Sequence, residues 1–154
     1  MHNQLSILKN NDQKLILDKQ GSFINYFPNY LKINEADNLY RILLSEIEWD
    51  DSKRSIYGKI NKFSRKSSFY AMSGLQYKFS GRKFPGREMS PTMLKVLNDL
   101  KINCDYHFNS ILFNYYHDGK DMISWHRDNE KELGDDPIIG TISLGQERPF
   151  LLRN

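Results

Sequence analysis

The chain has 154 residues, with 22 Lys and Arg against 19 Asp and Glu, a formal charge of +3 and 39% hydrophobic content. That length suits one domain with a real core, and the mild basic balance permits a nucleic-acid partner without requiring one. The single cysteine, Cys104, excludes a disulfide framework or a Cys-rich zinc site and reads most simply as a buried thiol. The N-terminus carries no apolar signal core, and no run approaches the ~20 apolar residues of a membrane span. A soluble intracellular protein, cytoplasmic or nuclear and not secreted, is the expectation.

Residues 1–13 are polar and expected to be loose, leaving one domain over 14–154. Lys14 to Leu17 suits a short strand stopped near Gly21, and Phe23 to Leu31 a second extended piece broken at Pro28. A helix follows, with Asn34 as its N-cap and Glu35 and Asp37 in its first turn. Ala36, Leu39, Tyr40, Leu43, Leu44 and Ile47 give it the apolar stripe of a helix lying on a core.

From Lys53 to Lys66 the segment holds six cations and no acidic residue, interleaved with Ile56, Tyr57 and Phe63. It suits a solvated hairpin, and equally a nucleic-acid contact with cations on phosphates and an apolar tip against bases. Tyr77 and Phe79 alternate on a strand and share a face, as core residues or as a stacking platform for a base. Gly81, Pro85 and Gly86 mark a loop. Ser90 and Pro91 then open a second helix as N-cap and first residue, with Leu94, Leu97 and Leu100 inward until about Asn103.

The richest stretch is Phe108 to Glu130. A strand from Phe108 to Tyr116 places Asn114 and Tyr116 on one face. His117-Asp118-Gly119 then forms a turn in which glycine supplies the positive φ. A second strand, Met122 to Trp125, runs into His126-Arg127-Asp128, where residues two apart present an imidazole and a carboxylate on the same side. Taken alone, this triplet more often describes a solvated histidine beside a carboxylate than a metal site. It also opens the catalytic loop of protein kinases, but the asparagine that loop needs is Leu133 here and no Gly-rich phosphate loop lies upstream. Pro137 to Leu144 and Arg148 to Leu152 read as further strands. Two helices and a string of short strands make an α+β domain with a β-sandwich or jelly-roll core.

The ensemble Asn114-x-Tyr116, Asp118-Gly119, His126-x-Asp128 with Glu130, Ile142-x-Leu144-Gly145 and Arg148-x-Phe150 resembles the AlkB-type iron(II)/2-oxoglutarate dioxygenases that repair alkylated nucleic acid. The likeness is to the branch holding the animal DNA-repair homologues. It extends to Tyr77-Lys78-Phe79-Ser80-Gly81 and, more loosely, to Ile56-Tyr57-Gly58-Lys59 and Arg65. The resemblance implies a double-stranded β-helix (jelly-roll) core with two N-terminal helices packed on it. It also implies oxidative demethylation of N-alkylated bases in DNA, or RNA, with Fe(II), O₂ and 2-oxoglutarate, giving succinate, CO₂ and formaldehyde.

On that resemblance His126 and Asp128 are the catalytic iron ligands, and Asn114 and Tyr116 hold 2-oxoglutarate. Ile56, Tyr57 and Gly58 form a finger that enters the duplex, Tyr77, Phe79, Asn129 and Glu130 contact the base, and Lys59, Lys62 and Arg65 contact phosphates. Asn129 stands where the family often has a carboxylate, which changes an acceptor into a group that also donates. The family's distal histidine ligand and its 2-oxoglutarate-binding arginine follow the H-x-D motif. Here all four histidines lie at or before that motif and the chain stops at Asn154, so the expectation is a domain lacking its last barrel strands. Such a monomer would be inactive or dependent on a complementing C-terminal fragment. The alternative is a non-catalytic nucleic-acid-binding homologue that keeps the base-contacting surface.

Overall fold

The computed structural model describes residues 14–19, 22–50, 53–56, 59–62, 65–73, 75–79, 82–104, 106–128 and 130–153. Of these, 14–19, 22, 53–56, 59–62, 77–79, 82–85, 104 and 132 are described by backbone alone. In chain order the elements are β1 (Lys14–Lys19), β2 (Ser22–Tyr26), α1 (Ile33–Glu46), β3 (Lys53–Ile56), β4 (Lys59–Lys62), β5 (Lys66–Ala71), β6 (Gln76–Phe79), β7 (Arg82–Pro85), α2 (Pro91–Cys104) and β8 (Ser110–Tyr115). A short 3₁₀ turn follows at Lys131–Leu133. β1 pairs with β2, β3 with β4 and β6 with β7, each an antiparallel hairpin of sequence neighbours. Among the described residues no helix is long and apolar enough to cross a membrane.

The pairing that organises the molecule is the non-local one, β5 with β8, in which Ser67 faces Asn114, Phe69 faces Leu112 and Tyr70 faces Ile111. Side chains alternate across a strand, so the pair has two different faces. Tyr70, Ile111 and Phe113 meet Leu43 and Ile47 at the end of α1 and Met93 and Leu97 of α2, with Met89 closing the cluster. The rings of Tyr70 and Phe113 touch edge-on at 5.7 Å. Phe69 and Ala71 point the other way and are covered by Leu133. That second face also carries Asn114.

α2 starts as its sequence predicts: Ser90 Oγ accepts the Met93 amide at 3.3 Å, and Pro91 occupies the first helical position. The same serine and Thr92 donate to the Glu46 carboxylate at 2.6 and 3.0 Å, tying the end of α1 to the start of α2. The inward residues of α2 are Met93, fully buried, and Leu97, whereas Leu94 is 47% exposed. The i, i+4 row therefore replaces Leu94 in the expected stripe. On α1, Leu43 and Ile47 are buried while Leu44 turns outward.

Beside the core lies a polar network. Arg87 donates to both carboxylate oxygens of Asp50, at 2.7 and 3.2 Å, and to Ser68 Oγ at 3.1 Å. Ser68 is fully buried and donates in turn to the Glu48 carbonyl at 2.7 Å. The hydrogen bond to Asp50, against some loss from burial, holds the Arg87 pKa above its usual value. Each buried polar group in this network has a partner, which removes the penalty of leaving one unpaired.

Four further expectations are corrected. The stretch expected as a loop at Gly81, Pro85 and Gly86 holds β7, Arg82–Pro85, because its backbone finds β6 as a partner. α1 begins at Ile33 behind Lys32, not behind Asn34, because the Glu35 carboxylate reaches back to accept the Lys32 amide at 3.1 Å. Met122 to Trp125, Pro137 to Leu144 and Arg148 to Leu152 are not strands. An extended segment becomes a strand only when another backbone completes its hydrogen-bond ladder, and no described residue does so here. Gly119 does not take a positive φ, which among the described glycines belongs to Gly134 and Gly145. The turn before it closes through side chains instead.

Candidate functional site

Asn114 is fixed by residues from far earlier in the chain. Its Oδ1 accepts from Arg65 Nε at 2.9 Å and from the Ser67 hydroxyl, across the ladder, at 2.8 Å. Arginine can only donate, so the carboxamide oxygen faces Arg65 and the amide nitrogen is turned away. The next residue on that face, Tyr116, has the Arg148 guanidinium 4.7 Å over its ring. Tyr115 faces the other way, packed against Trp49 at 5.5 Å and against the His117 ring at 4.8 Å.

The turn that follows is built by two aspartates. Asp118 Oδ1 accepts the Lys120 amide at 2.7 Å, a local side-chain closure that needs no left-handed residue. Asp121 Oδ2 accepts the His117 amide at 2.6 Å and lies 2.8 Å from His117 Nδ1. Arg148 Nη1 donates to the Asp118 carbonyl at 2.8 Å, and Nη2 donates to the Asp121 carbonyl.

Past the turn the chain runs without a ladder to His126. The His126 Nδ1 lies 2.8 Å from the Ser124 carbonyl, an acceptor, so Nδ1 carries a proton, and in the neutral imidazole the lone pair is on Nε2. Asp128 Oδ1 lies 3.6 Å from that Nε2, and both side chains are more than a third exposed. Glu130 contributes a carboxylate oxygen, Oε2, that is shielded from solvent and has no partner among the described residues.

The profile of the 2OG-Fe(II) oxygenase superfamily matches residues 23–154. The chain is 34% identical to the DNA oxidative demethylase ALKBH2 of Mus musculus over 123 residues, covering 78% of this chain and 52% of that protein. It is 32% identical to the protein of the same name from Bos taurus, covering 78% and 44%. The alpha-ketoglutarate-dependent dioxygenase alkB homolog 3 of Bos taurus is 30% identical, covering 82% and 44%. The chain belongs to the 2OG-Fe(II) oxygenase superfamily, as an AlkB-type member. It spans about half the length of the curated relatives it matches.

The superfamily uses Fe(II) and 2-oxoglutarate, and the AlkB-type site can be tested against both. His126 Nε2 and Asp128 Oδ1, 3.6 Å apart, are close enough for both side chains to reach one ion. The Ser124 carbonyl sets the tautomer that a metal-bound imidazole needs. The residues fit. Among the described residues no cluster of three or more His, Cys, Asp or Glu side chains forms, so His126 and Asp128 stand as a pair. A jelly roll is the fold the superfamily implies; among the described residues the strands form four separate antiparallel pairs.

The remaining expected site residues divide in two. Tyr57, Gly58 and Asn129 lie outside the described residues. Ile56, Lys59 and Lys62 belong to the β3–β4 hairpin and Tyr77 and Phe79 to β6, all by backbone alone. Arg65, expected on a phosphate, is found on Asn114. Ser67 and the contacts of Arg148 escaped the sequence reading. No local signal marks them, because their partners are set by strand pairing and loop packing 27 to 49 residues away.

Proposed function

We propose that the protein demethylates N-alkylated bases in nucleic acid, DNA in preference to RNA, by iron- and 2-oxoglutarate-dependent oxidation. The observation that carries this is the His126–Asp128 pair, with Nε2 left free by the Ser124 carbonyl and facing the carboxylate at 3.6 Å. These residues would supply one histidine and the carboxylate of a 2-His-1-carboxylate site. Bound iron with 2-oxoglutarate and O₂ supplies the oxidant for the N-alkyl carbon, and the hydroxylated group leaves as formaldehyde beside succinate and CO₂.

The chain's own groups take definable parts. Asn114 and Tyr116, on one face, would donate to oxygen atoms of 2-oxoglutarate. The Glu130 Oε2, desolvated and unpartnered among the described residues, is suited to accept from an amino group on a flipped base. Tyr77 and Phe79 would replace the stacking that base loses, and Asn129 would contact its edge. The β3–β4 hairpin pairs as far as Ile56 and Lys59, which supports a finger at its end; Ile56, Tyr57 and Gly58 would form that finger, and Lys59 and Lys62 would contact phosphates. The names of the ALKBH2 relatives, DNA oxidative demethylase, support the substrate class and a site of action where DNA is found. Residues 14–154 would act as one domain, with a third metal ligand from a complementing segment.

The test is anaerobic Fe(II) titration with 2-oxoglutarate, following the visible charge-transfer band, then succinate formation on an N-methylated oligonucleotide. We expect a band that disappears in His126→Ala and in Asp128→Ala. A band indifferent to both substitutions would sink the ligand assignment. No band, with oligonucleotide still bound, would make the protein a binding module without oxidation.

A further inference from the structure

We infer that Arg65 is a positioning residue for the co-substrate, acting through Asn114. The inference rests on the assignment of Asn114 to 2-oxoglutarate proposed above, and it gives Arg65 a different role from a phosphate contact. Asparagine presents a donor at one end of its carboxamide and an acceptor at the other, and a half-turn about its last bond exchanges them. Which end meets a ligand must therefore be decided by neighbours. Here two donors, Arg65 Nε at 2.9 Å and Ser67 Oγ at 2.8 Å, converge on Oδ1. One of them is a guanidinium, which cannot accept. The reversed amide would set its N–H groups against Arg65, losing that hydrogen bond and placing like dipole ends together, whereas the Ser67 hydroxyl also accepts and does not discriminate between the two orientations.

The consequence is chemical. Nδ2 has no partner among the described residues, so position 114 offers N–H donors and no acceptor to whatever occupies that side. A carboxylate or keto oxygen suits such a site and an amine does not. The guanidinium also puts a full positive charge one side chain behind those donors. A hydrogen bond to a charged group polarises the carboxamide and strengthens its outward N–H. A doubly charged anion such as 2-oxoglutarate gains from both effects.

The strand pairing explains why this arrangement is stable. Ser67 lies directly opposite Asn114 in the β5–β8 ladder, and Arg65 precedes β5 by one residue. The orienting pair is thus held by the β5–β8 ladder, while Tyr70 and Phe113 lock the opposite face into the core.

Two measurements on the whole chain test this. The first needs no ligand: the Asn114 side-chain NH₂ signals are followed by ¹⁵N NMR in wild type, Arg65→Ala and Ser67→Ala. We expect them to shift and to exchange faster with water in Arg65→Ala, and to a lesser degree in Ser67→Ala. Unmoved signals in both variants would overturn the proposal. The second is calorimetric titration of 2-oxoglutarate with Mn(II) in place of iron, beside titration of an N-methylated oligonucleotide. Outer partners of a site typically contribute 10–100-fold. We expect Arg65→Ala to weaken 2-oxoglutarate by about 10-fold or more with oligonucleotide affinity unchanged, and Arg65→Lys to recover much of it. The reverse outcome, weaker oligonucleotide binding with a salt slope smaller by about 1 and intact 2-oxoglutarate affinity, would return Arg65 to the phosphates. If wild type binds no 2-oxoglutarate, the proposed function itself fails and this role fails with it.

Discussion

The guanidinium of Arg148 caps the ring of Tyr116 at 4.7 Å while donating to the carbonyls of Asp118 and Asp121, 30 and 27 residues earlier. One side chain thereby fastens the segment after Gly145 to the turn after β8 and covers one face of a proposed co-substrate residue. Removing it as Arg148→Ala should loosen the turn locally. Hydrogen bonds from a charged donor contribute about 1.5–3 kcal/mol when shielded, and Arg148 is exposed, so about 1 kcal/mol is expected. Faster hydrogen exchange at the His117 and Asp121 amides, with global stability lowered by no more than about 1 kcal/mol, is the expected result. Arg148→Lys should restore the cation over the ring but cannot bridge both carbonyls, so exchange should fall between the two. Equal exchange rates in all three proteins would show that the clamp does not hold the turn.

Gly86 is needed for space. A Cβ there would stand 2.6 Å from Ala71 Cβ and 2.9 Å from the Leu75 carbonyl oxygen. Ala71 is buried beside Phe69, and Gly86 itself donates its amide to that same carbonyl at 3.2 Å. Neither neighbour is the far end of a flexible side chain. Gly86→Ala should cost about 1–3 kcal/mol by overpacking, measured by urea unfolding. Adding Ala71→Gly should relieve the first contact but not the second. The double variant should then fall short of additivity, as contacting sites do.

Tyr40 makes stability sensitive to alkali. Burial first, and then the adjoining Tyr115 phenol, push its pKa above the ordinary tyrosine value. A raised folded-state pKa favours the neutral phenol in the native protein. Its stabilising contribution is whole below about pH 10 and is lost as pH rises through the folded value, because the unfolded chain ionises first. Stability measured by denaturant between about pH 9 and 11 should decline more gently in Tyr40→Phe than in wild type. An identical slope in the two proteins would remove Tyr40 as the cause.

Local periodicity made much of this molecule legible. The stripe through Leu43 and Ile47, the Ser90-Pro91 helix start and the β8 strand are each written in neighbouring residues. So is the meeting of His126 with Asp128, since residues two apart in extended backbone share a side, and the side chains do meet at 3.6 Å. The family too was readable, because its residues recur at fixed spacings along one stretch, and the superfamily match over 23–154 agrees.

Residues within a turn or a pleat of one another carried the two helices and the β8 strand, and motifs at fixed spacings carried the family. Tertiary structure alone decided which extended segments found a ladder. β8 met β5, while Met122 to Trp125, Pro137 to Leu144 and Arg148 to Leu152 met no described partner. It also decided that Arg65 lies on Asn114, 49 residues away, and Arg148 on Tyr116. The reason is physical: pairing register and loop contacts join distant residues, and a change of register by one residue would turn Asn114 from the open face of the sheet into the core.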